Sequence, residues 1–122
     1  MDNRDIASEF LRMCARGEVR EAYARFVSED FVHHNAWFAG DRESLLLAME
    51  RSAAAEPNKS FEVKQVIDGG DRVAVLSRLT RASGEVEYAV VHIARIEGGR
   101  IVELWDLAQE VPANSPNVNG VF

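Results

Sequence analysis

Cysteine is nearly missing from this chain: Cys14 stands alone among 122 residues, so no internal disulfide can form. A lone thiol fits a reducing, cytoplasmic setting. Long apolar runs are also lacking, and nothing approaches the roughly 20 residues that span a bilayer. The opening Met-Asp-Asn-Arg-Asp is charged and has no apolar stretch of the secretory kind. Together these features predict a cytoplasmic protein without a membrane partner. Positive charge is sparse: 14 Lys and Arg face 20 Asp and Glu, for a net charge of −6. The basic residues are scattered (Arg4, Arg12, Arg20, Arg42, Arg72, Arg95) and form no stripe, which argues against nucleic acid as a partner. The three histidines match no metal-ligand spacing, so no metal is expected. Gly69-Gly70 and Gly98-Gly99 precede no helix and read as hairpin turns rather than phosphate loops. Repeats and low-complexity segments are absent.

What remains is an ordinary globular composition, 47% hydrophobic and 28% charged, long enough for one domain with a real core. That domain is taken as residues 1–122. Asp2 or Asn3 can cap a first helix with Ile6, Phe10 and Met13 on one stripe, ended by Gly17. Val19, Ala22, Tyr23, Phe26 and Val27 follow the i, i+3, i+4 rule, which predicts a second helix running to about Asp30. Phe31 to His34 reads as a short strand or extended turn, and Asn35 to Gly40 as a loop. Asp41 caps a third helix from about Arg42 to Ala55, closed by Pro57-Asn58. Alternating segments at Phe61–Asp68, Arg72–Arg81, Glu87–Ile96 and Ile101–Glu110, separated by Gly-rich turns, predict a four-stranded antiparallel meander. The tail, residues 112–122, is irregular. The fold class is therefore α+β.

The last hairpin decides which side chains converge. A three-residue Glu97-Gly98-Gly99 loop with Gly99 in the left-handed conformation pairs Ile96 with Arg100. His92 then faces Leu104, and Val90 faces Asp106. Tyr88, Val90, His92 and Ala94 share a face with Val102, Leu104, Asp106 and Ala108, an apolar wall holding one His, one Asp and one Tyr. A two-residue loop would pair His92 with Trp105 and send Asp106 to the other side. The second face carries Val91, Ile93, Trp105 and Leu107. Three short helices cover only one side of a sheet, so a second copy of the chain is expected on the other, giving a homodimer.

Three stretches carry a family likeness. Phe31-Val32-His33-His34-Asn35 followed by Gly40-Asp41-Arg42-Glu43 is the first. Gly99-Arg100-Ile101-Val102-Glu103-Leu104-Trp105-Asp106 is the second. The tail, from Val111-Pro112 to Asn119-Gly120-Val121-Phe122, is the third. With the order of elements, they resemble the SnoaL-like polyketide cyclase group of the nuclear transport factor two-like superfamily, which includes ketosteroid isomerases. The resemblance implies a cone of three helices packed on a curved, mainly antiparallel sheet that encloses a pocket for a small apolar molecule. It implies Asp106 as the acid/base residue, His34 near the place of a general base, and His92 near a hydrogen-bond donor. Both of those places hold Asp in the ketosteroid isomerases, and their donor Tyr is Phe10 here, so steroid isomerisation is not implied. Tyr88, Trp37, Phe38, Asn35, Met49 and Leu104 are the expected substrate contacts.

Three functions stay open. One is a cofactor-free lyase, isomerase or cyclase acting beside a carbonyl, since an apolar pocket with one carboxylate suits proton abstraction. Another is a non-catalytic ligand-binding or dimerisation module. The last is an epoxide hydrolase-like arrangement, which needs Arg78 or Arg95 to point inward. Bland alternatives exist as well. Asp106 can serve as a structural acid, His92 as a core histidine, and Trp37, Phe38 and Met49 as plain packing. His33 and His34 diverge on extended chain, so at most one of them faces the pocket.

Overall fold

The computed structural model describes residues 1–122. Its elements are α1 (Asn3–Ala15), α2 (Val19–Phe26), β1 (Val27–His34), α3 (Arg42–Ala55), β2 (Ser60–Asp68), β3 (Arg72–Thr80), β4 (Glu87–Glu97) and β5 (Arg100–Glu110). The sheet order is β1-β5-β4-β3-β2. The four predicted strands form the expected antiparallel meander. A fifth, β1, joins its edge in parallel with β5. The class is α+β, with a mixed, open sheet covered by helices on one face. None of the helices is long and apolar enough to cross a membrane.

The second helix stops earlier than its pattern predicts, and Val27 begins a strand. Two arginines bind backbone carbonyls on both sides of the switch, among them that of Ala24, left without a helical partner where α2 ends. Arg100 donates to the Ala24 and Val27 carbonyls, and Arg42 donates to those of Tyr23 and Ser28. The chain therefore passes straight from helix into β1. There Phe31 and His33 are buried while Val32 and His34 are exposed.

The core lies between the helices and the inner face of the sheet. At its centre the Tyr23 ring meets Phe10 and Phe31 edge-on, with centroids 5.3 and 6.1 Å away, an arrangement favoured by the ring quadrupoles. Asp2 caps α1 by accepting from the Asp5 N–H at 2.9 Å. The apolar stripe of α1 then buries Ile6, Phe10 and Met13, each full burial contributing about 1.5–3 kcal/mol.

The β4–β5 hairpin departs from the three-residue loop. Glu97 pairs with Arg100, so the turn is Gly98-Gly99 alone. Both glycines have positive φ, 57° and 78°, as a type I′ turn requires and as its match to strand twist favours. Such a turn by itself would send Asp106 outward. A bulge reverses that: Ile96 pairs with Ile101 and Arg95 with Glu103, which leaves Val102 as an extra residue. Beyond the bulge His92 pairs with Asp106 and Ile93 with Trp105. The expected partners, Leu104 for His92 and Asp106 for Val90, are thus displaced by two residues. Side chains alternate with period two, so a shift of two keeps His92 and Asp106 on one face.

Candidate active site

Tyr88, Val90 and His92 of β4, with Asp106 and Ala108 of β5, form one wall of a hollow of about 470 Å³. Leu11 and Cys14 of α1, Leu45, Ala48 and Met49 of α3, and Phe61 of β2 close the opposite side. Trp37 and Phe38, on the loop after β1, stand at the rim, Trp37 being 86% exposed. Tyr88, Trp37, Phe38, Asn35 and Met49 lie where they are expected. Leu104 does not: it is 1% exposed and packs in the core instead of lining the hollow.

The polar centre is Asp106, whose side chain is 15% exposed. One oxygen, Oδ1, lies 3.2 Å from His92 Nε2. The other, Oδ2, accepts from the Asn35 side-chain amide at 2.8 Å. An ionised carboxylate only accepts, so His92 carries its proton on Nε2. The remaining ring nitrogen, Nδ1, is sealed from solvent and has no partner, so the bond to Asp106 is the one hydrogen bond the His92 ring makes. Burial pushes the Asp106 carboxyl up. The His92 hydrogen bond and charge, the Asn35 amide and nearby His33 together outweigh burial, and the pKa falls below the ordinary aspartate value. Asp106 is therefore ionised at neutral pH, and each oxygen keeps a lone pair.

Asn35 is held for this contact by a residue that the family resemblance passes over. His33 points inward and is buried. Its Nε2 faces the Ser44 hydroxyl at 3.2 Å, and that hydroxyl already donates to the Asp41 carbonyl. His33 must then donate through Nε2, leaving Nδ1 to accept from the Asn35 backbone N–H at 3.0 Å. The Asn35 side-chain oxygen, Oδ1, accepts from the Trp37 N–H at 3.0 Å, which turns its NH₂ toward Asp106. Burial holds the His33 pKa below the ordinary imidazole value, against the opposing pull of Asp106 and Asp41.

His34, the expected general base, is on the wrong side. Because β1 pairs His33 with Leu104 and His34 with Trp105, His34 shares the outer face. It stacks on Trp105 at 4.9 Å and bonds Glu103 at 2.6 Å. The epoxide hydrolase-like arrangement fails for a similar reason. Arg78 pairs with Glu87, and Arg95 pairs with Glu103 and Glu97, so neither lines the hollow. Cys14 does line it, but burial pushes its thiol up to about 12, which leaves it protonated and a poor nucleophile. No group of three or more His, Cys, Asp or Glu residues is placed to hold a metal ion. Sequence reasoning also missed Ser52, Lys59 and Arg81, which line the far end. No motif marks these three; Lys59 and Arg81 meet because β2 begins where β3 ends, and Ser52 reaches them from α3.

The profile of the SnoaL-like domain matches residues 7–104. This chain belongs to the SnoaL-like domain family. Its fold is shared by an NTF2-like protein of unknown function from Cytophaga hutchinsonii, 18% identical over 89% of this chain and 91% of that one, with a TM-score of 0.72. A protein provisionally called a polyketide cyclase, from Bacillus cereus, is 22% identical over 85% of this SnoaL-like chain and 72% of its own, with a TM-score of 0.73. AclR of Streptomyces galilaeus, provisionally a hydroxylase, is 23% identical over 85% and 86%, at 0.72. No protein of curated function matches the chain.

Proposed function

We infer that this SnoaL-like protein is an acid/base enzyme for a small, largely apolar carbonyl compound, with Asp106 as the group that moves the proton. The observation that carries this reading is a single ionised carboxylate, held by His92 and Asn35, inside a hollow where 13 of 19 lining residues are hydrophobic. Apolar substrate entering the hollow displaces water from Asp106 and raises its basicity at the moment of reaction. Asp106 then takes a proton from the carbon beside the carbonyl and returns it to another atom of the same substrate. Isomerisation, cyclisation and elimination all begin with that step. The Bacillus cereus neighbour named for polyketide chemistry fits the class.

A direct test needs no assigned substrate. Apolar ketones and 1,3-dicarbonyl compounds are incubated with the protein in D₂O, and deuterium incorporation beside the carbonyl is followed by NMR. Protein-dependent exchange is expected, and Asp106→Asn should lower it by at least about 100-fold. Exchange that survives the substitution would remove Asp106 from its role. The apolar lining also favours a second reading, a ligand-binding module, for which a compound binds tightly and exchanges no faster than in buffer.

The outer face belongs to the same reading. Helices leave Val91, Ile93, Trp105 and Leu107 uncovered, and Leu107 is 63% exposed. A second copy on this face would bury them and form a homodimer. Sedimentation should give a dimer for the wild type and a monomer for Leu107→Lys. A monomeric wild type would refute the pairing.

A further inference from the structure

Away from Asp106, the hollow has a second polar end that proton transfer does not use. Lys59, just before β2, and Arg81, just after β3, line it with Ser52 and Tyr88. Along β4 the two ends are marked by Tyr88 and His92, about 13 Å apart at the rise of an antiparallel strand. Beside this end lies another hollow, of about 450 Å³, lined by Arg12, Ala15, Arg16, Pro57, Lys59 and Phe61. Ala15, Lys59 and Phe61 belong to both hollows, so Lys59 stands where the apolar space opens into a basic one.

The cations here are not equally engaged. Arg16 is held by Glu9 and Glu18, and Arg81 by Glu56. Arg12 forms no ion pair and no side-chain hydrogen bond, in a chain with 20 acidic residues. The Lys59 ammonium bonds only the Ser52 hydroxyl. Burial, with Arg81 nearby, keeps the Lys59 pKa below the ordinary lysine value despite the opposing pull of Glu56. An anion between Arg12 and Lys59 would face both cations, and it would lie within one ligand's length of Asp106.

We propose that Arg12 and Lys59 bind the anionic end, carboxylate or phosphate, of an amphipathic substrate whose apolar body fills the hollow. The carbonyl in that body rests on the role inferred for Asp106, whereas the charge recognition stands without it. Recognition at one end and proton transfer at the other would fix which carbon meets Asp106.

Calorimetry with decanoate, decyl phosphate and decanol tests this, since the three share an apolar chain and differ in the head. At low salt one anion or both should bind about tenfold more tightly than decanol, two solvent-screened charge contacts each adding a few-fold. The preference should shrink as salt rises. Arg12→Gln/Lys59→Gln should abolish it while leaving decanol binding in place, and the tighter anion identifies the head group. Equal binding of all three ligands, no anion binding, or a preference that survives in the double variant would overturn the proposal. The same titration in Asp106→Asn separates the two ideas: the preference should persist there whether or not carbonyl exchange is found.

Discussion

The two faces of the sheet each hold a histidine–carboxylate pair, with the carboxylate on β5 in both and the histidine on β4 inside and on β1 outside. On the inner face His92 meets Asp106 at 3.2 Å; on the outer face His34 meets Glu103 at 2.6 Å. The outer pair is the shorter, yet it is the less consequential. His34 is half exposed, and Glu103 shares its charge with Arg95, so water and a competing cation dilute the interaction. The inner pair is almost wholly buried, and Asp106 has only neutral Asn35 as its other partner. Distance alone does not measure how strongly a charge depends on its partner. Burial does, because it leaves the charge to be answered by a few fixed groups.

Substitutions can break this contrast. The largest effect is expected on catalysis: Asp106→Asn should reduce deuterium exchange by at least about 100-fold. Glu103→Gln, an equivalent change on the opposite face, should leave exchange within about twofold, as surface pairs contribute little. Comparable losses in both variants would show that the faces do not differ in function.

The adjacent histidines sharpen the comparison next. His33→Ala leaves the Ser44 hydroxyl and the Asn35 N–H without their partner and opens a void, at a cost of about 2–3 kcal/mol. His34→Ala removes a surface pair and a stacked ring, for about 1 kcal/mol or less. Urea unfolding midpoints at unchanged slope give both values.

The smallest effect concerns pH. His33 has a folded pKa below its ordinary value of 6.5. The unfolded chain therefore takes up a proton that the folded chain refuses. The resulting stability is complete above about pH 6.5 and declines as pH falls toward the depressed folded value. Asp106, also lowered, extends the decline below its ordinary 3.8. The slope between pH 6.5 and 5 should flatten in His33→Gln. An unchanged slope would assign it to other groups.

Much of the fold was legible because it rests on local pattern. The third helix begins after Asp41 and ends at Ala55 as expected, although the Asp41 side chain makes no capping bond, and the meander strands end within a residue of their turns. Asp106 and His92 were legible as partners on one face, although not through the pairing that the turn suggested. The histidine assignment failed for a different reason. Which of His33 and His34 points inward depends on how β1 sits against β5, a parallel pairing between residues about 70 positions apart that leaves no local trace. Lys59 and Arg81 were invisible on the same ground, since only the sheet brings their strand ends together.

Val102 gives this architecture a built-in parity. Every residue of β5 after it is inside or outside according to whether that one bulged position is counted. The carboxylate in the hollow and the indole on the opposite surface are thus set by an insertion rather than by residue type. For anyone reshaping this hairpin, the arithmetic is unforgiving. The Gly98-Gly99 turn and the Val102 bulge can be lengthened or shortened only together, and changing either by a single residue exchanges the chemistry of the two faces.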